Sequence, residues 1–228
     1  MGNIPVNYID HKTRHIDPRA APDDTLMPTN IKGVYRVATI GDGSCFFHSF
    51  LKAAAPKYIE VKDTRERMKM ALSLRIHLAN KLTEINPKDG KTYWESIGGD
   101  SYKDFISEED NSIDYSMKGL KDLLLSNRYT GDEVYLLIAK VYNYSIYVVR
   151  INDKGEIDMY HTVNEKKGLS VIVILSLYRD GKNYGHYELL VQHSNDDTIT
   201  AIFPEDSGFV RYLDGLVEKG VESRKITE

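Results

Sequence analysis

Apolar positions fall into two regimes along the chain. Up to about residue 142 they recur at helical spacing or in short apolar blocks. From Ser145 onwards they form β-branched and aromatic runs broken by turn residues. In the first regime, residues 35–40 read as a short extended segment. Gly41-Asp42-Gly43-Ser44-Cys45 follows, and then an apolar stretch, 46–55, long enough for about three helical turns. Asp63-Thr64-Arg65-Glu66 has the form of a capping box with aspartate as the cap. Behind it, Met68, Leu72, Ile76 and Ala79 recur every three or four residues and Leu82 continues the row, predicting a helix buried along that stripe and ending near Asn86-Pro87. Residues 88–115 mix Tyr93, Trp94, Tyr102 and Phe105 with Gly98-Gly99 and the acidic run Glu108-Glu109-Asp110, a pattern of short helices joined by loops. Residues 117–126 and 132–142 predict two more helices, the second with Val134, Leu137, Ile138 and Val141 on one face and Asp132 as its cap.

In the second regime, 145–151 predicts a strand, Asn152-Asp153-Lys154-Gly155 a turn, and 156–161 a partner strand. The nearly unbroken Val/Ile/Leu run at 170–177 suits a central strand buried on both faces. A polar loop flanked by glycine, 179–185, leads into a strand at 186–192; a last strand at 198–203 and a helix at 209–217 complete the order. Helices first and strands last predict one α+β domain over 34–228, with helices packed around a small, mostly antiparallel sheet. Residues 1–33 carry Pro5, Pro18, Pro22 and Pro28 and no periodicity, so they read as an irregular arm; His11 and His15 within it read as solvated side chains rather than a metal pair.

The chain has 228 residues, 41% hydrophobic and 28% charged, with a net charge of −4, which is the balance of a soluble globular protein. No lysine- or arginine-rich block points to nucleic acid. No apolar run reaches the ~18–20 residues of a membrane span, and no signal-peptide core or complete myristoylation motif is present. The single cysteine excludes an internal disulfide and a cysteine-based zinc site and fits a reducing compartment. A cytoplasmic monomer without membrane or nucleic-acid partners is the expectation.

That cysteine, Cys45, lies between a glycine turn and a predicted helix start. There the free amides and positive helix end favour thiolate over thiol and can hold an oxyanion. The same pattern equally suits a cysteine used as a small buried hydrophobe, and the residues alone leave both readings standing. A nucleophilic thiol needs a base, and histidine is the usual one. His48 shares the helix with Cys45 but points back along it, and His161 and His193 stand at strand ends without a carboxylate at a useful offset. His186 opens a strand, and Glu188, two positions on, projects from the same face, where it can orient the imidazole. A merely wet strand face would show the same two residues.

Together these stretches resemble the ovarian-tumour (OTU) family of cysteine proteases. Asp42-Gly43-Ser44-Cys45-Phe46-Phe47-His48 matches that family's cysteine motif at every position, and His186-Tyr187-Glu188 fits its strand-borne histidine motif. The glycine-led helix after Gly131 feeding the strand at 145–151 resembles the family's middle, so the resemblance spans roughly residues 34–215. The wording of the cysteine motif, with Phe203-Pro204-Glu205-Asp206 before the last helix, is most similar to members from large DNA viruses, which would place the protein in a host cytosol. The resemblance implies a papain-like fold and hydrolysis of isopeptide bonds after the C-terminal glycine of ubiquitin or polyubiquitin, with some members also cutting ubiquitin-like modifiers, and with no cofactor or metal. It implies Cys45 as nucleophile, His186 as general base, Glu188 as orienting residue where aspartate or asparagine is commoner, and Asp42 within the catalytic group. Backbone amides of Asp42, Gly43 and Cys45 would form the oxyanion hole, and Gly185 and Tyr187 would touch substrate. Glu108-Glu109-Asp110 is a candidate for holding the arginines of a ubiquitin tail, although a solvated loop has the same composition. A catalytically silent ubiquitin-binding domain, or a cysteine hydrolase acting on another modifier or another carbonyl substrate, is the rival reading.

Overall fold

The computed structural model describes residues 26–105, 113–152, 154–164, 168–179, 182–194, 198–217 and 221–226. His11, His15 and Glu108-Glu109-Asp110 lie outside them. Among the described residues the strands form one nine-stranded mixed sheet. They are β1 (Leu26–Pro28), β2 (Val34–Val37), β3 (Ser145–Ile151), β4 (Ile157–Val163), β5 (Val171–Arg179), β6 (Lys182–His193), β7 (Ile199–Thr200), β8 (Ile202–Phe203) and β9 (Glu222–Ile226). The order is β1-β2-β6-β5-β3-β4-β9, with β7 paired to β6 and β8 to β5. Most neighbours run antiparallel; β3 with β5 and β4 with β9 are parallel. The class is therefore α+β as the order of patterns predicts, but the sheet is larger than expected. It takes in part of the presumed arm as β1 and adds β9 after the last helix.

Helices α1 (Cys45–Ala54), α2 (Pro56–Glu60), α3 (Thr64–Lys81), α4 (Tyr93–Ser96), α5 (Met117–Leu125) and α6 (Tyr135–Tyr142) precede β3, and α7 (Gly208–Val217) follows β8. Val171, Val173 and Leu175 of β5 belong to one apolar core with Phe209, Val210 and Leu213 of α7, while Ile172 and Ile174 join the larger core of α1, α3, α5 and α6. That two-sided burial is why β5 reads as an unbroken apolar run. Helix α1 is buried along its whole length and stops where Pro56 disfavours a helical residue before it.

Two helix expectations need correction. Asp63 does cap α3, its side chain accepting from the Glu66 amide at 2.9 Å, but Glu66 turns its own carboxylate to Lys69 at 2.6 Å. Of the expected stripe Ala79 and Leu82 are buried, but Met68, Leu72 and Ile76 are exposed; the buried face of α3 runs through Arg67, Met70, Ala71, Leu74, Arg75, Leu78 and Ala79. Two arginines sit on that face, so hydrophobicity alone selects the wrong stripe. Asp132 does not cap its helix. Residues Asp132–Val134 form a 3-10 turn, the Glu133 carboxylate accepts the Gly131 amide at 2.6 Å, and α6 is buried almost all round. The expected loop at 179–185 is shorter as well, since β6 already begins at Lys182.

The reassigned α3 face has a direct check by urea unfolding. Leu78→Ala should cost about 2–5 kcal/mol, the ordinary cost of a buried leucine truncation, whereas Leu72→Ala should stay within about 0.5 kcal/mol.

Candidate active site

Strand pairing assembles the site. β2 lies antiparallel to β6, with Val37 opposite Leu189 and Arg36 opposite Leu190. Beyond the last paired residue the chain continues alongside β6, and Thr39 donates its hydroxyl to the Tyr187 carbonyl. It then passes His186, since a Cβ on Gly41 would lie 3.9 Å from that ring's Cε1 and 4.0 Å from Nδ1. The turn at Asp42-Gly43 delivers Cys45 as the first residue of α1. Residues 140 apart in sequence thus meet: the Cys45 thiol points at the Gly185 carbonyl, 3.8 Å away. Gly43 is at φ +84° and a Cβ there would stand 2.7 Å from the Asn127 carbonyl, so only glycine fits the turn.

The loop is braced from within. Asp42 accepts the Ser44 amide at 2.9 Å, and both of its carboxylate oxygens face His48 Nε2 at 3.2 Å. The other nitrogen of His48 meets the Tyr58 hydroxyl at 2.6 Å. His48 is fully buried with both nitrogens engaged, so it is no candidate base. Burial raises the Asp42 carboxyl, but the hydrogen bond and charge of His48 with the Ser44 amide outweigh it, and the net shift is downward. Asp42, expected among the catalytic residues, is thus committed to holding the loop, and the Ser44 amide is committed to Asp42.

His186 is a quarter exposed and turns Nε2 towards Thr39 Oγ1 at 3.5 Å and Glu188 Oε1 at 3.9 Å. Neither distance makes a good hydrogen bond. Glu188 is buried; Arg36 Nη1 approaches its Oε2 at 3.5 Å, and that oxygen has no hydrogen-bond partner among the described residues. Burial raises the Glu188 carboxyl, partly offset by Arg36 and Lys52. Burial likewise lowers His186, helped by the charges of Arg36 and His48.

The electrostatics of the thiol differ from the expectation. Cys45 is only 2% exposed. Burial pushes its thiol up, more than the amides of Tyr187, Phe46 and Cys45 draw it down, and Asp42 adds to the rise. A helix start therefore does not by itself make a thiolate here; both shifts favour the neutral thiol and neutral imidazole over the ion pair. Tyr187 also departs from its expected role. Its ring is buried, stacked on Tyr129 at 5.8 Å and edge-on to Phe46 and Tyr135, so its side chain cannot meet a substrate. Tyr129, 38% exposed, is the aromatic that reaches the surface there, and a Cβ on Gly185 would come within 3.3 Å of its ring. Thr39, Tyr129 and Arg75 escape a sequence reading because only packing brings them to Cys45. An arginine on the helix face that also carries leucines is the one signal available beforehand.

Among the described residues no cluster of metal-binding side chains occurs, and no helix is long and apolar enough to cross a membrane. No family model and no curated protein matches the chain. Solved structures that the chain matches include an ovarian-tumour domain in complex with ubiquitin, at 18% identity, covering 92% of this chain and 99% of that one, with a TM-score of 0.47. The Hazara virus OTU bound to ubiquitin has 10% identity, covers 75% of this chain and 96% of its own, and scores 0.43. An OTU deubiquitinase from Wolbachia pipientis wMel has 16% identity, covers 73% and 95%, and scores 0.37.

The pH dependence follows from these shifts. A raised thiol holds less thiolate at any given pH than a free cysteine, and a lowered imidazole stays neutral further into acid. Alkylation of Cys45 by iodoacetamide should therefore be slow at pH 7 and climb with an inflection above the ordinary thiol value of about 8.5. An inflection below that value would show that the amides outweigh burial.

Proposed function

We propose that the protein is a cysteine-type deubiquitinase that hydrolyses isopeptide bonds after the C-terminal glycine of ubiquitin, in ubiquitin conjugates or polyubiquitin chains. The observation that carries this reading is the juxtaposition of Cys45, at the start of α1 behind a glycine turn, with the Gly185–His186 segment of β6. The chemistry of acyl transfer is supplied by those parts, and the choice of ubiquitin rests on the match of both motifs to the ovarian-tumour pattern. The motif wording keeps the affinity with members from large DNA viruses, and action in a host cytosol, within the same reading.

In this mechanism the sulfur turns from the Gly185 carbonyl to the imidazole. Nε2 of His186 is directed to Thr39 and Glu188, which leaves Nδ1 to take the thiol proton as sulfur attacks the carbonyl carbon. Starting from a neutral pair, charge separation accompanies attack instead of preceding it. The oxyanion is held by the Gly43 and Cys45 amides, which form no hydrogen bond to another described residue, whereas the Asp42 amide, expected with them, is turned to its own carboxylate. Collapse breaks the C–N bond, and the imidazolium returns its proton to the leaving lysine amine. Water, deprotonated by the same imidazole, then releases ubiquitin from the thioester and restores the thiol. Glu188 stabilises the imidazolium through Nε2 from 3.9 Å.

Ubiquitin carrying a C-terminal thiol-reactive warhead should form an adduct on wild-type Cys45, seen by intact-mass spectrometry, and none on Cys45→Ala. In steady-state cleavage of ubiquitin chains, Cys45→Ala should be inactive and His186→Ala reduced about 10²–10⁴-fold, with a smaller loss for Glu188→Ala. Equal, complete loss in all three folded variants would contradict the assignment of Glu188. A folded wild type that neither forms the adduct nor cuts chains would turn the reading to another modifier or to a silent binder.

A further inference from the structure

Arg75 is fully buried on α3, and all its hydrogen bonds go to neutral oxygens. Nε donates to the Leu124 carbonyl at 3.0 Å, and Nη2 to the carbonyls of Leu123 at 2.8 Å and Arg128 at 3.0 Å. Nη1 donates to Ser44 Oγ at 3.2 Å and to the Gly43 carbonyl at 3.3 Å. A guanidinium has five N–H groups, and five acceptors surround this one. The Phe47 ring closes the site, 5.1 Å from Cζ.

Helix anchoring accounts for only part of this. Leu123 and Leu124 lie in the last turn of α5, whose orphan carbonyls and negative dipole end suit a cation. Arg67, the other buried arginine of α3, does something similar at the end of α2, donating to the carbonyls of Val61 at 2.7 Å and Ile59 at 3.3 Å. Arg75 goes further, because the rest of its fork reaches the turn before Cys45. Ser44 occupies the N-cap of α1, yet its side chain makes no cap bond and accepts from Arg75 instead. The peptide joining Gly43 to Ser44 is held at both ends, its carbonyl by Arg75 and its N–H by Asp42. The backbone next to Arg128, which Arg75 also holds, packs directly on Gly43.

We propose that Arg75 is a positioning residue of the Cys45 site: by fixing the Gly43–Ser44 peptide and the Asn127–Arg128 backbone from beneath, it keeps the Gly43 and Cys45 amides arranged to hold an oxyanion. The inference rests on the reading of Cys45 as a nucleophile. Burial lowers the guanidinium, and attraction to Asp42, and to Cys45 when it is ionised, opposes that fall. The titratable and charged groups around the thiol are Asp42 on the glycine turn with His48 of α1 behind it, Tyr129 between α5 and α6, His186 on β6, and Arg75 itself.

The test uses Arg75→Lys, Arg75→Met and Ser44→Ala, each checked for folding by near-UV circular dichroism. The readouts are kcat and KM on ubiquitin bearing a fluorogenic C-terminal amide, and the pH profile of Cys45 alkylation by iodoacetamide. Arg75→Lys keeps the charge but not the fork, so kcat should fall about tenfold at unchanged KM while the alkylation profile stays in place. Arg75→Met should also move the alkylation inflection to higher pH. Ser44→Ala removes one acceptor without touching the core and should lower kcat about two- to threefold. Where Arg75→Met does not fold, the other two variants decide. Wild-type kcat in folded Arg75→Lys and Ser44→Ala, or an unmoved profile in folded Arg75→Met, overturns the proposal. Alkylation involves no ubiquitin, so a wild type indifferent to ubiquitin defeats the deubiquitinase reading while the Arg75→Met profile still judges Arg75.

Discussion

The antiparallel pairing of β2 with β6 is the constraint on which the site depends, because it converts a separation of 140 residues into contact between the thiol and the Gly185 carbonyl. β2 is short, only Val34–Val37, but it fixes the direction and register in which the chain leaves the sheet. Thr39 continues the alignment by bonding to the Tyr187 carbonyl, so the chain passes His186 before it turns. Side chains on a strand alternate, so a slip of one residue would exchange His186 for Tyr187 at the cleft. The burial of Val37, Leu189 and Val191 in the larger core resists that slip.

Around this frame, polar groups are buried in linked sets, each with a defined task. Asp42, His48 and Tyr58 tie the glycine turn to α1 and α2. Arg75 ties the same turn to the end of α5 and to the backbone of Arg128. Glu188, flanked by Arg36 and His186, is the least satisfied of them, with one oxygen lacking a hydrogen bond among the described residues. Its carboxylate is therefore the group best placed to gain from a positive imidazolium appearing beside it. In the proposed mechanism, the same burial that raises the Cys45 thiol would also exclude water from the place where charge develops. Each interaction with that charge is correspondingly stronger.

Much of this was legible in the sequence, and the failures have physical causes. The order of helices and strands, the two-sided burial of β5, the cap at Asp63 and the positions of Cys45, His186 and Glu188 all follow from periodicity, turn chemistry and motif spacing, which are local. The buried face of α3 was misread because Arg67 and Arg75 lie on it, and a guanidinium is tolerated there only when backbone carbonyls from other elements surround it. Tyr187 departs in the opposite sense: the family resemblance implied a substrate contact, but strand alternation turns its ring into the core beneath Tyr129.

By itself, then, the sequence determined the α+β class, the glycine turn that must precede Cys45, and the strand that carries His186 and Glu188 on one face, since each depends on residues a few positions apart. The tertiary structure alone decided that burial raises the thiol, that Asp42 serves the loop, that Thr39 and Tyr129 border the site and that Arg75 lies beneath it. Those outcomes depend on how much water is excluded and on which distant carbonyls and charges come within a few ångströms. Neither quantity exists until the sheet has paired and the helices have closed over it.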